Sequence, residues 1–244
     1  MKVVLFAGGR GLRMRDGAAD VPKPLSVLAG KPLLWHVMTW YAAHGHTEFV
    51  LCLGYRADDV VRTMREHAEP HWDVTFVDTG LDTLIGQRLV AVREHVQDDE
   101  MFLANYADLL SDAPLTDMVD RFTASGATAA MLVVRPQASF HLVELDGQGM
   151  VERVGPVTDA PMWQNGGFFV MRPEVFDVIG AGEELVDQPF ARLARTGRLM
   201  AYPWEGFWAP LDTQKDRQRL QDLHLSGQEP WVVPPASQPL RATG

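Results

Sequence analysis

Apolar residues in the first part of the chain come in short, dense runs at positions 2–6, 49–53, 74–77 and 101–104. Runs that are apolar at nearly every position, and not at alternate ones, mark strands buried on both faces of a sheet. Between them lie longer stretches, 32–44, 56–67, 86–96 and 115–124, whose apolar side chains recur at helical spacing. Strand and helix in alternation predict a parallel sheet covered on both faces. The pattern changes at residue 128. Runs at 128–134, 141–145 and 150–154 are joined by short connections, which predicts antiparallel pairing among them and therefore a mixed sheet. A strand at 168–171, a helix after Pro173, a helix over 188–196, a strand at 199–202 and a helix opening near Thr213 complete one expected domain, residues 1–230. The end, 231–244, is rich in Pro, Ser and Ala and is expected to be a loose tail.

Length and composition agree with this picture: 244 residues suit one large α/β domain, and 46% apolar with 22% charged residues is ordinary globular usage. Charge adds a constraint. A formal net charge of -10 disfavours nucleic acid or an anionic membrane surface as a partner, so any phosphate-bearing ligand must be held by local cations. Cys52 is the single cysteine, which excludes an intramolecular disulfide and a Cys-rich zinc site and suits a reducing compartment. The opening apolar run is too short for a secretion signal and no stretch approaches the length that spans a bilayer, so a cytoplasmic location is expected.

Those local cations surround one segment, AGGRGLRMRDGAADVPKPL, directly after the first strand. Ala7, Gly8, Gly9 and Gly11 offer backbone N–H groups that a phosphate can approach, and Arg10, Arg13, Arg15 and Lys23 offset a triphosphate's charge. Lysine is otherwise scarce, occurring only at 2, 23, 31 and 215. A dinucleotide-binding fingerprint would need a third glycine where Met14 stands, and a Walker loop would need Gly-Lys-Ser/Thr. Neither is present.

The Gly-Gly-x-Gly-x-Arg core followed by Pro22-Lys23-Pro24 resembles the signature of the sugar-1-phosphate nucleotidyltransferases. The likeness covers nearly the whole chain and is nearest to the glucose-1-phosphate cytidylyltransferases, through GKPLLWHVM, VLCLGY, VTFVDTG, NGGFFVM and GFWAPLDT. It implies a single-domain Rossmann-like three-layer α/β sandwich with a mixed, mainly parallel sheet. The implied substrates are a nucleoside triphosphate, CTP being favoured, and a sugar 1-phosphate, with Mg²⁺ as cofactor. By the same resemblance Asp108 and Asp212 hold the metal, Arg13 stabilises the departing pyrophosphate, and Lys23 reaches the α-phosphate. Gly86 and Arg88 lie near the base, with Gln87 offering it an amide, and Asn165, Gly166 and Gln188 lie on the sugar side. Relatives commonly assemble, so a homo-oligomer is an open expectation.

Departures from the family pattern gather on the acceptor side. Where the family has Glu-Lys-Pro, with its lysine on the sugar phosphate, this chain has Val154-Gly155-Pro156. That leaves Arg153 or Arg135, or backbone and metal alone, to hold the sugar phosphate. The acceptor therefore ranges from glucose 1-phosphate to a bulkier hexose, heptose or cyclitol phosphate, and a nucleotide-binding regulatory relative is the alternative. The family Gly-Asp at the metal is Ala107-Asp108 here. Trp35 and Trp40 fall in an apolar helix pattern and are expected in the core, Trp208 is expected to line the site, and Cys52 is expected to be a buried, unreactive thiol.

Overall fold

The computed structural model describes residues 1–9, 21–137 and 140–233. Its strands are β1 (Val3–Phe6), β2 (Val27–Leu28), β3 (Lys31–Pro32), β4 (Glu48–Leu53), β5 (Asp73–Asp78), β6 (Phe102–Asn105), β7 (Leu109–Ser111), β8 (Ala129–Val134), β9 (His141–Leu145), β10 (Val151–Pro156), β11 (Gln164–Met171), β12 (Leu199–Trp204) and β13 (Trp208–Pro210). Its α-helices are α1 (Leu33–Ala43), α2 (Ala57–His67), α3 (Ile85–Ala91), α4 (Arg93–Val96), α5 (Leu115–Ser125), α6 (Pro189–Arg195) and α7 (Gln214–Leu225). Seven strands share one sheet in the order β12-β8-β11-β6-β1-β4-β5. Pairings β6–β1, β1–β4, β4–β5 and β8–β12 are parallel, and β11 runs against both its neighbours, β6 and β8.

The dense runs become central strands because both faces are covered. Along β1, Val3 and Leu5 enter one core cluster with α1 and α2, while Val4 and Phe6 enter a second with Leu89 of α3 and Phe190 of α6. Val3, Val4 and Leu5 have no exposed surface, and each such side chain contributes about 1.5–3 kcal/mol of hydrophobic stabilisation. The result is the expected three-layer α/β sandwich with a mixed, mainly parallel sheet. Cys52 of β4 is fully buried, and burial pushes its thiol up to about 12.

Several details differ from the sequence expectation. Strand β8 does not pair with β9, because both its edges are taken by β11 and β12; β9 and β10 form a separate two-stranded hairpin. The stretch expected as one helix at 86–96 breaks at Val92 (φ -105°, ψ 10°) into α3 and α4. Trp231, assigned to the loose tail, is 2% exposed and packs against Phe207 and His36, so the packed part of the chain reaches past residue 230. Among the described residues no helix is long and apolar enough to cross a membrane.

Candidate active site

The parallel strands β1, β5 and β6 point their carboxyl ends to one edge of the sheet, the edge where open α/β sheets bind ligands. A cavity of about 650 Å³ opens there. Phe6 and Gly9 reach it from the β1 turn, Leu81, Asp82 and Thr83 from the loop after β5, and Tyr106 and Asp108 from the turn after β6. Lys23, Asn165, Trp208 and Asp212 close the other sides.

Asp108 and Asp212 are far apart in sequence and are brought together by a short antiparallel ribbon. Strand β7 begins directly after Asp108, β13 ends just before Leu211-Asp212, and the two pair with Leu109 opposite Pro210. The Leu211 N–H donates to the Asp108 carbonyl at 3.0 Å. Helix α7 holds the other side: Asp216, in a capping box with Thr213, accepts the Asp212 and Thr213 N–H groups at 3.1 and 2.8 Å. Lys23, flanked by Pro22 and Pro24 at the start of a single 3₁₀ turn (Lys23–Leu25), places its ammonium between both carboxylates, 2.5 Å from Asp108 Oδ2 and in contact with Asp212 Oδ1. Burial opposes the lysine charge, but Asp108 and Asp212 outweigh it and raise its pKa. Burial lifts the Asp108 carboxyl above its ordinary value, Lys23 pulls it back, and Asp212 pushes it further up. The Lys23 ammonium occupies the space between these carboxylates. A pair of carboxylate oxygens, with substrate phosphates and water completing the shell, is a donor set that suits Mg²⁺.

Arg88 is 2% exposed and acts inside the wall of the cavity. Its guanidinium donates to the carbonyls of Leu53 (2.8 Å), Leu81 (3.1 Å) and Gly8 (3.3 Å) and to Thr79 Oγ1 (2.6 Å). It thereby ties the turns after β1, β4 and β5 to α3. A Cβ on Gly8 would collide with this guanidinium, so Gly8 is glycine to admit Arg88, whereas Gly9 faces open space. Ala7 is fully buried and its N–H donates to the Cys52 carbonyl at 2.9 Å, so it braces the turn and offers no donor to a ligand. Gly86 and Gln87, expected near the base, face elsewhere: a Cβ on Gly86 would meet the Glu183 carbonyl at 2.5 Å, and Gln87 Nε2 donates to the Gly180 carbonyl at 2.8 Å. Helix α3 is packed here against the 180–185 loop. Gly11 and Arg13 lie outside the described residues, as do Arg10 and Arg15.

On the sugar side, Asn165 lines the cavity and donates to the Tyr106 hydroxyl at 3.0 Å. Burial pushes that phenol up to about 12, so it is neutral and can still donate its own proton. The Gly166 carbonyl accepts from Trp208 Nε1 at 2.8 Å, which fixes the Trp208 ring in the wall. Gln188 is exposed at the start of α6 and accepts the Glu184 N–H, away from the cavity. Neither candidate arginine lines it. Arg135 stacks over Trp163 at 4.0 Å and pairs with Glu205, and Arg153 pairs with Glu144 on the hairpin. Sequence reading missed Tyr106 and the 81–83 loop. Only their positions, just past the ends of strands, could have marked them.

A family model described as nucleotidyl transferase matches residues 2–193. A glucose-1-phosphate cytidylyltransferase of Salmonella typhi is 36% identical over 255 residues, covering 95% of this chain and 98% of that protein. A mannose-1-phosphate guanyltransferase of Yarrowia lipolytica is 26% identical over 250 residues, covering 98% of this chain and 69% of that one. Among solved structures, a UTP-bound UGPase from Acinetobacter baumannii superposes with a TM-score of 0.69 at 18% identity, covering 92% of each chain, a likeness of fold.

Proposed function

Because the chain belongs to the nucleotidyl transferase family and is a sugar-phosphate nucleotidyltransferase, we propose that it condenses CTP with glucose 1-phosphate or a variant hexose, heptose or cyclitol phosphate, releasing pyrophosphate. The observation that carries this reading is the meeting of Lys23, Asp108 and Asp212 at the carboxyl edge of the sheet. A charged lysine between two carboxylates belongs to chemistry that gathers and offsets phosphate charge.

Asp108 and Asp212 would hold Mg²⁺, which would supply positive charge to offset the nucleotide phosphates. Lys23, in the cavity wall, would offset the α-phosphate charge, and by the family resemblance Arg13 would serve the leaving pyrophosphate. An oxygen of the sugar phosphate attacks the α-phosphorus in line as the bond to the β-phosphate breaks. The phosphate is its own nucleophile, so the protein's part is to position and neutralise. Arg88 holds the turns around the triphosphate, and Tyr106 with Asn165 offers donors and acceptors to sugar hydroxyls. The base would meet Leu81, Asp82, Thr83 and Ile85; the preference for CTP rests on the relatives. With Arg135 and Arg153 engaged outside the cavity, backbone and metal would hold the acceptor phosphate as far as the described residues go.

The test is pyrophosphate release with Mg²⁺, crossing the common nucleoside triphosphates with a panel of sugar and cyclitol 1-phosphates. Release is expected with CTP and one acceptor class, and lost in Asp108→Asn. Nucleotide binding with no release from any pair would instead identify a regulatory binding protein.

A further inference from the structure

Two turns of the same construction meet behind the carboxylates. In one, Asn105 Oδ1 accepts the Ala107 N–H at 2.7 Å; in the other, Asn165 Oδ1 accepts the Gly167 N–H at 2.8 Å. The last residue of each is left-handed, with φ +63° at Ala107 and +73° at Gly167. The turns are also joined, since the Tyr106 N–H donates to the Gly167 carbonyl and Asn165 donates to the Tyr106 hydroxyl. Besides the middle residue, Tyr106 against Gly166, they differ at the left-handed position. Gly167 takes its conformation freely, and a Cβ there would collide with Leu109 and Tyr106. Ala107 carries a Cβ into a backbone region that L-residues disfavour, and it immediately precedes Asp108.

Something must hold Ala107 in that conformation, and the buried amide of Asn105 is placed to do so. Asn105 ends β6 in the middle of the sheet, opposite Leu5 of β1 and Phe168 of β11, with no exposed surface. We infer that Asn105 is a positioning residue: its side-chain oxygen fastens the strained Ala107 turn and thereby aims Asp108 at Lys23 and Asp212. The inference rests on the reading of Asp108 as a metal ligand. In the neighbouring turn the Asn165 side chain and the backbone freedom of Gly167 share that work, and at Ala107 the asparagine does it without a glycine.

The test compares Asn105→Val, Asn105→Thr, Ala107→Gly and the double variant Asn105→Val/Ala107→Gly. Three quantities are measured: exchange of the residue-107 amide, the thermal midpoint, and the Mg²⁺ concentration that half-saturates pyrophosphate release. Valine removes the acceptor, so amide exchange quickens and the Mg²⁺ requirement rises about tenfold, the usual scale for losing a ligand's support. Threonine, of nearly the same shape, keeps an oxygen for the same N–H and stays within about threefold. Ala107→Gly alone raises the midpoint by about 2 °C by relieving the left-handed alanine, with the Mg²⁺ requirement unchanged. In the valine background it returns most of the lost Mg²⁺ affinity. Valine and threonine behaving alike, a lower midpoint in Ala107→Gly, or no recovery in the double variant would each overturn the inference. Should Asn105→Val fail to accumulate, threonine exchange and the Ala107→Gly midpoint still decide it. Those two readouts need no turnover, so absence of pyrophosphate release would count against the functional reading alone.

Discussion

Lys23, Asp108 and Asp212 sit where three segments converge and brace one another, whereas Arg153 and Gly155 sit on a hairpin whose side chains face solvent. Around the first group, ladder pairing joins the Asp108 and Asp212 segments, a capping box holds the Asp212 turn, and a buried guanidinium fixes three more turns. On the hairpin, Val143, Leu145, Val151 and Val154 are all more than half exposed, and the Arg153–Glu144 pair is open to water. The difference sets how freely each region can change. A residue in the braced group cannot change without moving several others, while a residue on the hairpin changes nearly alone. Gly155, where the resemblance leads one to expect lysine, lies at such a freely changing position, and Ala107, where it leads one to expect glycine, lies in the braced region where Asn105 fastens the turn.

The sharpest way to break this contrast is to neutralise the carboxylates. Asp108→Asn or Asp212→Asn is expected to lower the rate of pyrophosphate release by about 10³-fold or more, and a steady-state rate near the parent's would remove them from the metal site. Next in size is Arg88→Lys. A lysine cannot serve three carbonyls and a hydroxyl at once, so a loss on the order of 2–4 kcal/mol in denaturant unfolding is expected, with a lower kcat. Alkaline pH probes the same interior. The Cys52 thiol is raised from 9.0 to about 12 by burial, so the folded state holds its proton more tightly than the unfolded chain. The stability this confers is complete below pH 9 and is lost as pH rises toward 12; Cys52→Ser should make the pH 9–12 decline in thermal midpoint shallower. The smallest effects belong to the hairpin. Arg153→Ala and Gly155→Lys are expected to leave the thermal midpoint unmoved and the KM for CTP within about twofold.

Much of the sheet was legible in the sequence because strands covered on both faces leave dense apolar runs, as residues 2–6 and 49–53 do. Strand partners were less so. The hairpin was expected beside β8, but whether β8 has a free edge depends on β11 and β12, which no local pattern reveals. At the site, glycines and basic residues marked the loop after β1, and the two aspartates came through the family resemblance. Their meeting depends on the β7–β13 pairing, and three-residue strands leave no periodic signal. Arg88 was assigned near the base from its place in the family pattern; it does line the cavity beside Leu81 and Ile85, but its guanidinium is spent on clamping the turns. What decides its role is the absence of a Cβ at Gly8 and Gly54, two positions distant in sequence. Trp231 was lost to its setting, a single indole among prolines whose packing against Phe207 and His36 has no signature in composition.

The division between a braced nucleotide side and an open hairpin is tested most directly by calorimetric titration of CTP, with and without Mg²⁺, into the parent protein, Asp108→Asn and Gly155→Lys. Metal-dependent CTP binding that is lost in Asp108→Asn and unchanged in Gly155→Lys is the expected result. Binding that survives in Asp108→Asn, or that shifts in Gly155→Lys, would contradict it.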